Sequence, residues 1–209
     1  MYRFVSGNRP DETPGTAGAE AERFFNEALL DFMGISGRDV PEPLQQGRQP
    51  AFRKGPHGKP YFSEPGLEEI FFSLSDTQGY KVLCFSDSEV GVDCENTAAR
   101  PGIESRYGAI ARRCFTDDEQ EYMAFGTSDA LSRFFEIWTA KEAYMKYTGN
   151  GFSEGFRSFS VFGLPEMDVV TGRLDGAPHV VYSICAGRGA IETPILNRIG
   201  PGRVSQPVV

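Results

Sequence analysis

Residues 70–96 read IFFSLSDTQGYKVLCFSDSEVGVDCEN, and their pattern decides the fold class. Three runs rich in aromatic and β-branched residues, Ile70–Ser73, Tyr80–Ser86 and Glu89–Glu95, are parted by the turn-forming DTQG and SDS, which predicts a β-meander. Upstream, AEAERFFNEALLDFMGI (Ala19–Ile35) repeats apolar residues at helical spacing up to Gly34, and a short strand is expected before it at Tyr2–Val5. Between helix and meander, Arg38–Gly66 is dense in Pro and Gly. It should be irregular, with short extended pieces at Ala51–Lys54 and Pro60–Phe62. Downstream a composition break at Asn96–Gly102 precedes helical patterns at Glu104–Cys114, Thr116–Phe125 and Ser128–Thr148. Strands follow at Ser158–Phe162, Asp168–Leu174 and His179–Ala186, and the Gly-, Pro- and Arg-rich tail from Gly187 is expected to fray. This order predicts an α+β protein of two halves with similar plan, residues 1–97 and 98–209.

The 209 residues are 40% hydrophobic and 24% charged, enough for a sizeable core, and an aromatic share of 12% makes rings the main material of that core. A net charge of −8 argues against nucleic acid or an anionic membrane as the partner, because both attract Lys- and Arg-rich surfaces. No run of 18 apolar residues occurs and no secretory leader pattern opens the chain, so a cytoplasmic location is expected. Cys84, Cys94, Cys114 and Cys185 stand singly, without zinc-ligand spacing, and read as free thiols.

The chemistry concentrates around Trp138. On a helical wheel, Lys141, Phe134, Met145, Trp138, Leu131, Glu142, Phe135 and Lys146 share one arc, so three charges fall within an apolar face. The opposite arc, Thr139, Ser132, Ala143, Glu136, Tyr147, Ala140 and Arg133, reads as the solvent face. Glu142 and Lys146 also form an ordinary (i, i+4) pair, and lysines snorkel from apolar edges. The run GVDCE adds Asp93 and Glu95, which strand alternation turns to one side of a sheet; this side can equally face water at a strand end. Three carboxylates with two lysines suit a diphosphate, since Mg²⁺ takes one or two protein carboxylates plus phosphate oxygens. HGKP (His57–Pro60) and FSLSDT (Phe72–Thr77) add a lysine turn and a hydroxyl-rich strand end.

The order GKP, FSLSDT, GVDCE, CFTDDE and WTAKEAYMKYTGNG resembles the surfactin-type 4′-phosphopantetheinyl transferases. Their pattern runs G-K-P, S-H-S/T, G-[IV]-D-x-E, F-x-x-x-E and W-[ST]-x-K-E-[AS]-x-x-K-x-x-G-x-G, and Trp138–Gly151 is its most specific match. The resemblance implies two pseudo-symmetric α+β halves with coenzyme A in the cleft between them. It further implies Mg²⁺ held by Asp93, Glu95 and Glu142, and diphosphate oxygens on Lys141 and Lys146. Lys59, Ser75 and Asp76 would lie nearer the nucleotide, and Glu142 would take the proton of the attacking serine. Glu119 matches F-x-x-x-E, although its DDE run could be only a charged helix start. Asp76 stands where relatives have His, which puts recognition of the 3′-phosphate in doubt; Arg53 and Lys54 lie closer than Arg23 to take it over.

The implied partners are coenzyme A and an acidic acyl or peptidyl carrier protein, with the protein a monomer. Arg100, Arg106, Arg112 and Arg113 form a candidate docking surface or an ordinary solvated basic helix. Two other readings compete: a metal-dependent nucleotide-diphosphate hydrolase, and a relative that binds carrier protein or nucleotide without turnover.

Overall fold

A computed structural model describes residues 2–8, 17–125, 129–151, 155–191 and 196–198. The expected first strand is longer than its sequence signal: β1 (Tyr2–Asn8) pairs antiparallel with β5 (Tyr80–Ser86) and parallel with β9 (Leu196–Arg198). The tail expected to fray thus supplies an edge strand. With β4 (Phe71–Thr77) the sheet order is β4-β5-β1-β9. A second sheet has the order β6-β8-β7, from Val90–Asn96, Ala177–Gly187 and Met167–Leu174, all antiparallel. A small hairpin, β2 (Phe52–Lys54) with β3 (Pro60–Phe62), stands where short extended pieces were expected. Helix α2 (Glu42–Gln45) interrupts the stretch read as irregular.

Expected as a three-strand meander, β4, β5 and β6 are instead a hairpin and a deserter. β6 leaves β5 and joins β8, so the second sheet straddles residue 97. Alternation explains the layering. On β5, Leu83 and Phe85 pack toward α1 (Ala17–Ser36), against Phe25, Leu29, Phe32 and Met33, while Val82 and Cys84 pack against Val92, Cys94, Tyr182 and Ile184 of the second sheet. On the far face of that sheet, Val181 meets Phe115, Phe134, Phe135 and Ile137 from the helical layer. The layers therefore run helix, sheet, sheet, helices, with two aromatic-rich cores outside and an aliphatic one between the sheets. Each fully buried Phe or Leu contributes about 2–3 kcal/mol.

The helical layer holds α3 (Tyr107–Cys114), α4 (Asp117–Ala124) and α5 (Ala130–Thr148). Helix α5 corrects the wheel: Thr139 and Ala143, assigned to solvent, are fully buried, and Ala140 is 3% exposed. These small residues let α5 lie directly on β6. A Cβ at Gly91 would come within 2.0 Å of the Ala143 carbonyl oxygen, so only glycine allows this approach. The strand expected at Ser158–Phe162 is a 3₁₀ turn (Phe156–Ser158) followed by irregular backbone and a turn. Its polar groups go to α4: the Ser160 hydroxyl donates to Asp118, and the Val161 amide donates to Glu119 at 2.9 Å.

Candidate active site

β6 is an edge strand, and its outward amides need acceptors. They find them on side chains. The amides of Val92, Cys94 and Asn96 donate to the hydroxyls of Ser73, Ser75 and Thr77 at 2.9, 3.3 and 3.0 Å. Alternate hydroxyls on β4 thus zip the two sheets together. Two of them donate onward to the acids of β6: Ser75 Oγ to Asp93 Oδ1 at 2.7 Å, and Thr77 Oγ1 to Glu95 Oε2 at 3.5 Å.

Asp93 and Glu95 occupy one face of β6, in register with Ser183 and Val181, and both are under 10% exposed. Lys146 of α5 donates to Asp93 Oδ1 at 2.9 Å and to the Leu74 carbonyl at 3.3 Å. Glu142, one helical turn before Lys146, joins this field. Burial, then the negative charge of Asp93, raise its pKa to about 7, with Glu95 adding to the rise and Lys146 opposing it. Strand acids, Glu142 and Lys146 therefore converge. Glu142 makes no hydrogen bond or ion pair with a described residue.

Glu95 is differently placed from the expectation. Arg100, five residues on, folds back and clamps both its carboxylate oxygens, with Nε at 3.0 Å from Oε2. Among the described residues no three His, Cys, Asp or Glu side chains close around a common metal position. Asp93 and Glu142 remain as the acids of this group that Arg100 does not clamp. Arg100 is thus engaged by Glu95 while its side chain stays 51% exposed, and Arg106, Arg112 and Arg113 are exposed too.

Three further expectations change. Lys141 is fully buried, away from the acid group. Its ammonium donates to Glu119 at 2.9 Å and to the carbonyls of Phe156 and Phe159 at 2.6 Å each, and lies over the Phe159 ring. The wheel grouped it with Lys146, but the two stand about 140° apart around the helix. Glu119 is its equally buried partner and also accepts from the Thr116 amide at 2.8 Å, as part of a helix capping box. Lys59 ties the β2–β3 hairpin to the end of α5, donating to Glu89, to the Val90 carbonyl and to the Tyr147 carbonyl. Burial lowers its pKa, opposed by Glu89. Ser75 is 6% exposed and engaged by the zipper, whereas Asp76 is exposed on the opposite face of β4, in register with Lys81. Arg53 stacks over Tyr61.

The sequence had one usable signal for the missed residues: hydroxyls at 73, 75 and 77 recur with strand period two. Nothing in it marked Arg100 as the partner of Glu95. Beside β4 lies a cavity of about 260 Å³, lined by Phe25, Phe52, Phe72, Leu74, Gln49 and Lys81. Leu74 belongs to both places, its side chain in the cavity wall and its carbonyl on Lys146.

Residues 89–185, which carry β6, α5 and the buried Lys141–Glu119 pair, match the family model of the 4′-phosphopantetheinyl transferase superfamily. The 4′-phosphopantetheinyl transferase psf-1 of Bacillus pumilus is 33% identical over 176 residues, covering 80% of this chain and 70% of that protein. The chain belongs to this superfamily. The 4′-phosphopantetheinyl transferase gsp of Aneurinibacillus migulanus is 31% identical over 132 residues, 63% of this chain and 52% of gsp. Putative 4′-phosphopantetheinyl transferase slr0495 of Synechocystis is 31% identical over 118 residues, 56% of this chain and 44% of slr0495. For these last two transferases the matched span is thus about half of the relative's length. Members of the superfamily are transferases, and the mixed α and β architecture found here is consistent with membership. No helix among the described residues is long and apolar enough to cross a membrane.

Proposed function

We propose that this protein transfers the 4′-phosphopantetheine of coenzyme A to a serine of an acyl or peptidyl carrier protein and releases 3′,5′-ADP. The observation that carries the reading is the meeting of Asp93, Glu142 and Lys146 where α5 lies on β6. Family membership supplies the reaction class. Coenzyme A lies between residues 1–97 and 98–209, with β6 at their junction. Its adenine ring enters the cavity beside β4, whose aromatic wall suits a base, and Lys81 at the rim meets phosphate. From there the diphosphate follows β4 to Lys146, whose ammonium neutralises charge on its oxygens.

Asp93 and Glu142 would hold Mg²⁺, which would supply further charge neutralisation for the diphosphate. The carrier serine Oγ attacks the β-phosphorus, the bond from that phosphorus to the bridging oxygen breaks, and 3′,5′-ADP departs with the electron pair. Glu142, directly or through a bound water, accepts the serine proton. Phosphoryl transfer asks mainly for positioning and charge neutralisation, so no covalent intermediate is needed.

Mass spectrometry of several apo carrier proteins after incubation with this protein, coenzyme A and Mg²⁺ tests the proposal. One phosphopantetheinyl group should add to a single serine, with one 3′,5′-ADP per modification. Release of 3′,5′-ADP without any carrier would point instead to a hydrolase, and binding without turnover to a non-catalytic relative.

A further inference from the structure

We infer that Ser183 of β8 is a positioning residue, whose hydroxyl fixes the rotation of α5 and thereby aims Glu142 toward the strand acid Asp93. The inference rests on the phosphopantetheinyl-transfer reading and deepens it. Ser183 lies in the middle of a row across the second sheet, opposite Asp93 of β6 on one side and Thr171 of β7 on the other. It shares a face with Val181, two residues before it, and that face looks toward the helical layer. Above the row, Thr139 of α5 meets Ser183 Oγ at 2.8 Å, and Thr171 meets the same oxygen at 2.7 Å. Ser183 and Thr139 are fully buried, so each depends on these partners for its hydrogen bonds.

Each hydroxyl has one proton, which sets the direction of the chain. Thr139 donates to the Phe135 carbonyl, one turn back, at 2.9 Å, so Ser183 donates to Thr139 and Thr171 donates to Ser183. The chain starts at exposed Thr171 and ends on the backbone of α5, so Ser183 acts on the acids through the helix. At 3.6 residues per turn, Glu142 stands about 60° around the axis from Thr139, on the next turn. The angle at which Thr139 meets β8 therefore also sets where Glu142 points. Apolar packing sets that angle loosely, because Thr139, Ala140 and Ala143, all buried, are small and give the sheet few ridges to engage. Lys146 holds the following turn to Asp93 at 2.9 Å, but its flexible stem absorbs small rotations that the short Thr139–Ser183 contact does not.

The test combines a double-mutant cycle with Mn²⁺ as the metal probe. Ser183→Ala deletes the donor, and Thr139→Val deletes the acceptor while keeping its shape. Each should lower kcat about tenfold at saturating Mg²⁺, with KM for coenzyme A within about twofold. Calorimetric titration of Mn²⁺ into the protein without coenzyme A should show binding about fivefold weaker for each. The double variant should be no worse than either single one, because all three lose the same contact. Thr139→Ser keeps the hydroxyl, and Thr171→Val removes only the outer link; both should stay within about twofold of wild type in kcat and Mn²⁺ binding. Should Ser183→Ala not fold, Thr139→Val against Thr139→Ser carries the same comparison. Losses that multiply to about a hundredfold in the double variant would overturn the inference, showing two separate effects. So would a raised KM for coenzyme A with kcat unchanged, or a Ser183→Ala protein that melts lower yet turns over at the wild-type rate, which would leave Ser183 a structural residue only. A wild-type protein that modifies carrier protein while both single variants match it sinks this inference alone; one that takes up no Mn²⁺ and modifies no carrier sinks the functional reading with it.

Discussion

Glu142 is the residue whose chemistry is most exposed to experiment. Its ordinary pKa of 4.5 is raised to about 7 in the fold, first by burial and then by Asp93. The native state therefore holds this proton more tightly than the unfolded chain, so the group's contribution to stability is present below pH 4.5, falls as pH rises to 7, and is level above. In EDTA, wild type should lose about 1–2 kcal/mol relative to Glu142→Gln across that window, a figure discounted for partial exposure. Denaturant titrations at several pH values check this, and parallel stability profiles for the two proteins would contradict it. A proton and Mg²⁺ compete for this carboxylate, so the pH at which kcat/KM rises should fall as Mg²⁺ is raised, and Glu142→Gln should lose at least a hundredfold in rate.

Asp76 carries a different prediction at the same scale. An exposed carboxylate on β4 repels a phosphate approaching Lys81, its register partner. Asp76→His should raise preference for coenzyme A over dephospho-coenzyme A by about tenfold. A wild-type protein that already prefers coenzyme A strongly, unchanged by Asp76→His, would show that this carboxylate turns aside.

At the scale of elements, the seating of α5 on β6 decides whether Glu142 reaches the strand acids. Gly91→Ala inserts a methyl group against the Ala143 carbonyl and the Tyr147 amide, so helix and strand must part. The expected cost is about 3 kcal/mol, seen as a Tm lower by about 6–12 °C, with transfer activity reduced more than coenzyme A binding. On the other side α5 is fixed by the buried Lys141–Glu119 pair. Lys141→Met leaves a carboxylate buried without its cation and should cost about 3–5 kcal/mol, whereas Lys141→Met with Glu119→Gln removes both charges and should recover at least half. Thermal denaturation of the set reads the recovery. If Lys141 instead contacted the diphosphate, the double variant would regain stability and still show a greatly raised KM for coenzyme A.

For the whole molecule, periodicity made the helices at 107–148, the hairpin β4–β5 and the strands β7 and β8 legible to within a few residues. Tertiary choices were not. Nothing local tells β6 to abandon β5 for a partner some ninety residues on, because a short apolar strand carries no address for its neighbour. The wheel of α5 misread Thr139, Ala140 and Ala143 as a wet face, since small residues at a close helix–strand contact look the same as a weakly polar surface. Motif spacing grouped Asp93, Glu142 and Lys146, and in the fold Lys146 donates to Asp93 while Glu142 feels the charge of both. It could not separate the lysines, because charge type alone does not reveal that Lys141 pairs with Glu119 and Lys59 with Glu89 while Lys146 pairs with Asp93. On the molecular surface, Arg112 and Arg113 stay exposed at the end of α3 on an otherwise acidic protein. Charge reversal at both should slow transfer to an acidic carrier protein at least tenfold at low salt, leaving coenzyme A affinity unchanged.

Anomalous diffraction from crystals grown with coenzyme A and Mn²⁺ addresses the joint use of strand acid, helix acid and lysine most directly. The manganese peak should lie between Asp93 and Glu142, with the diphosphate reaching Lys146. A peak elsewhere, or a diphosphate bound away from Lys146, would contradict the assignment of this site.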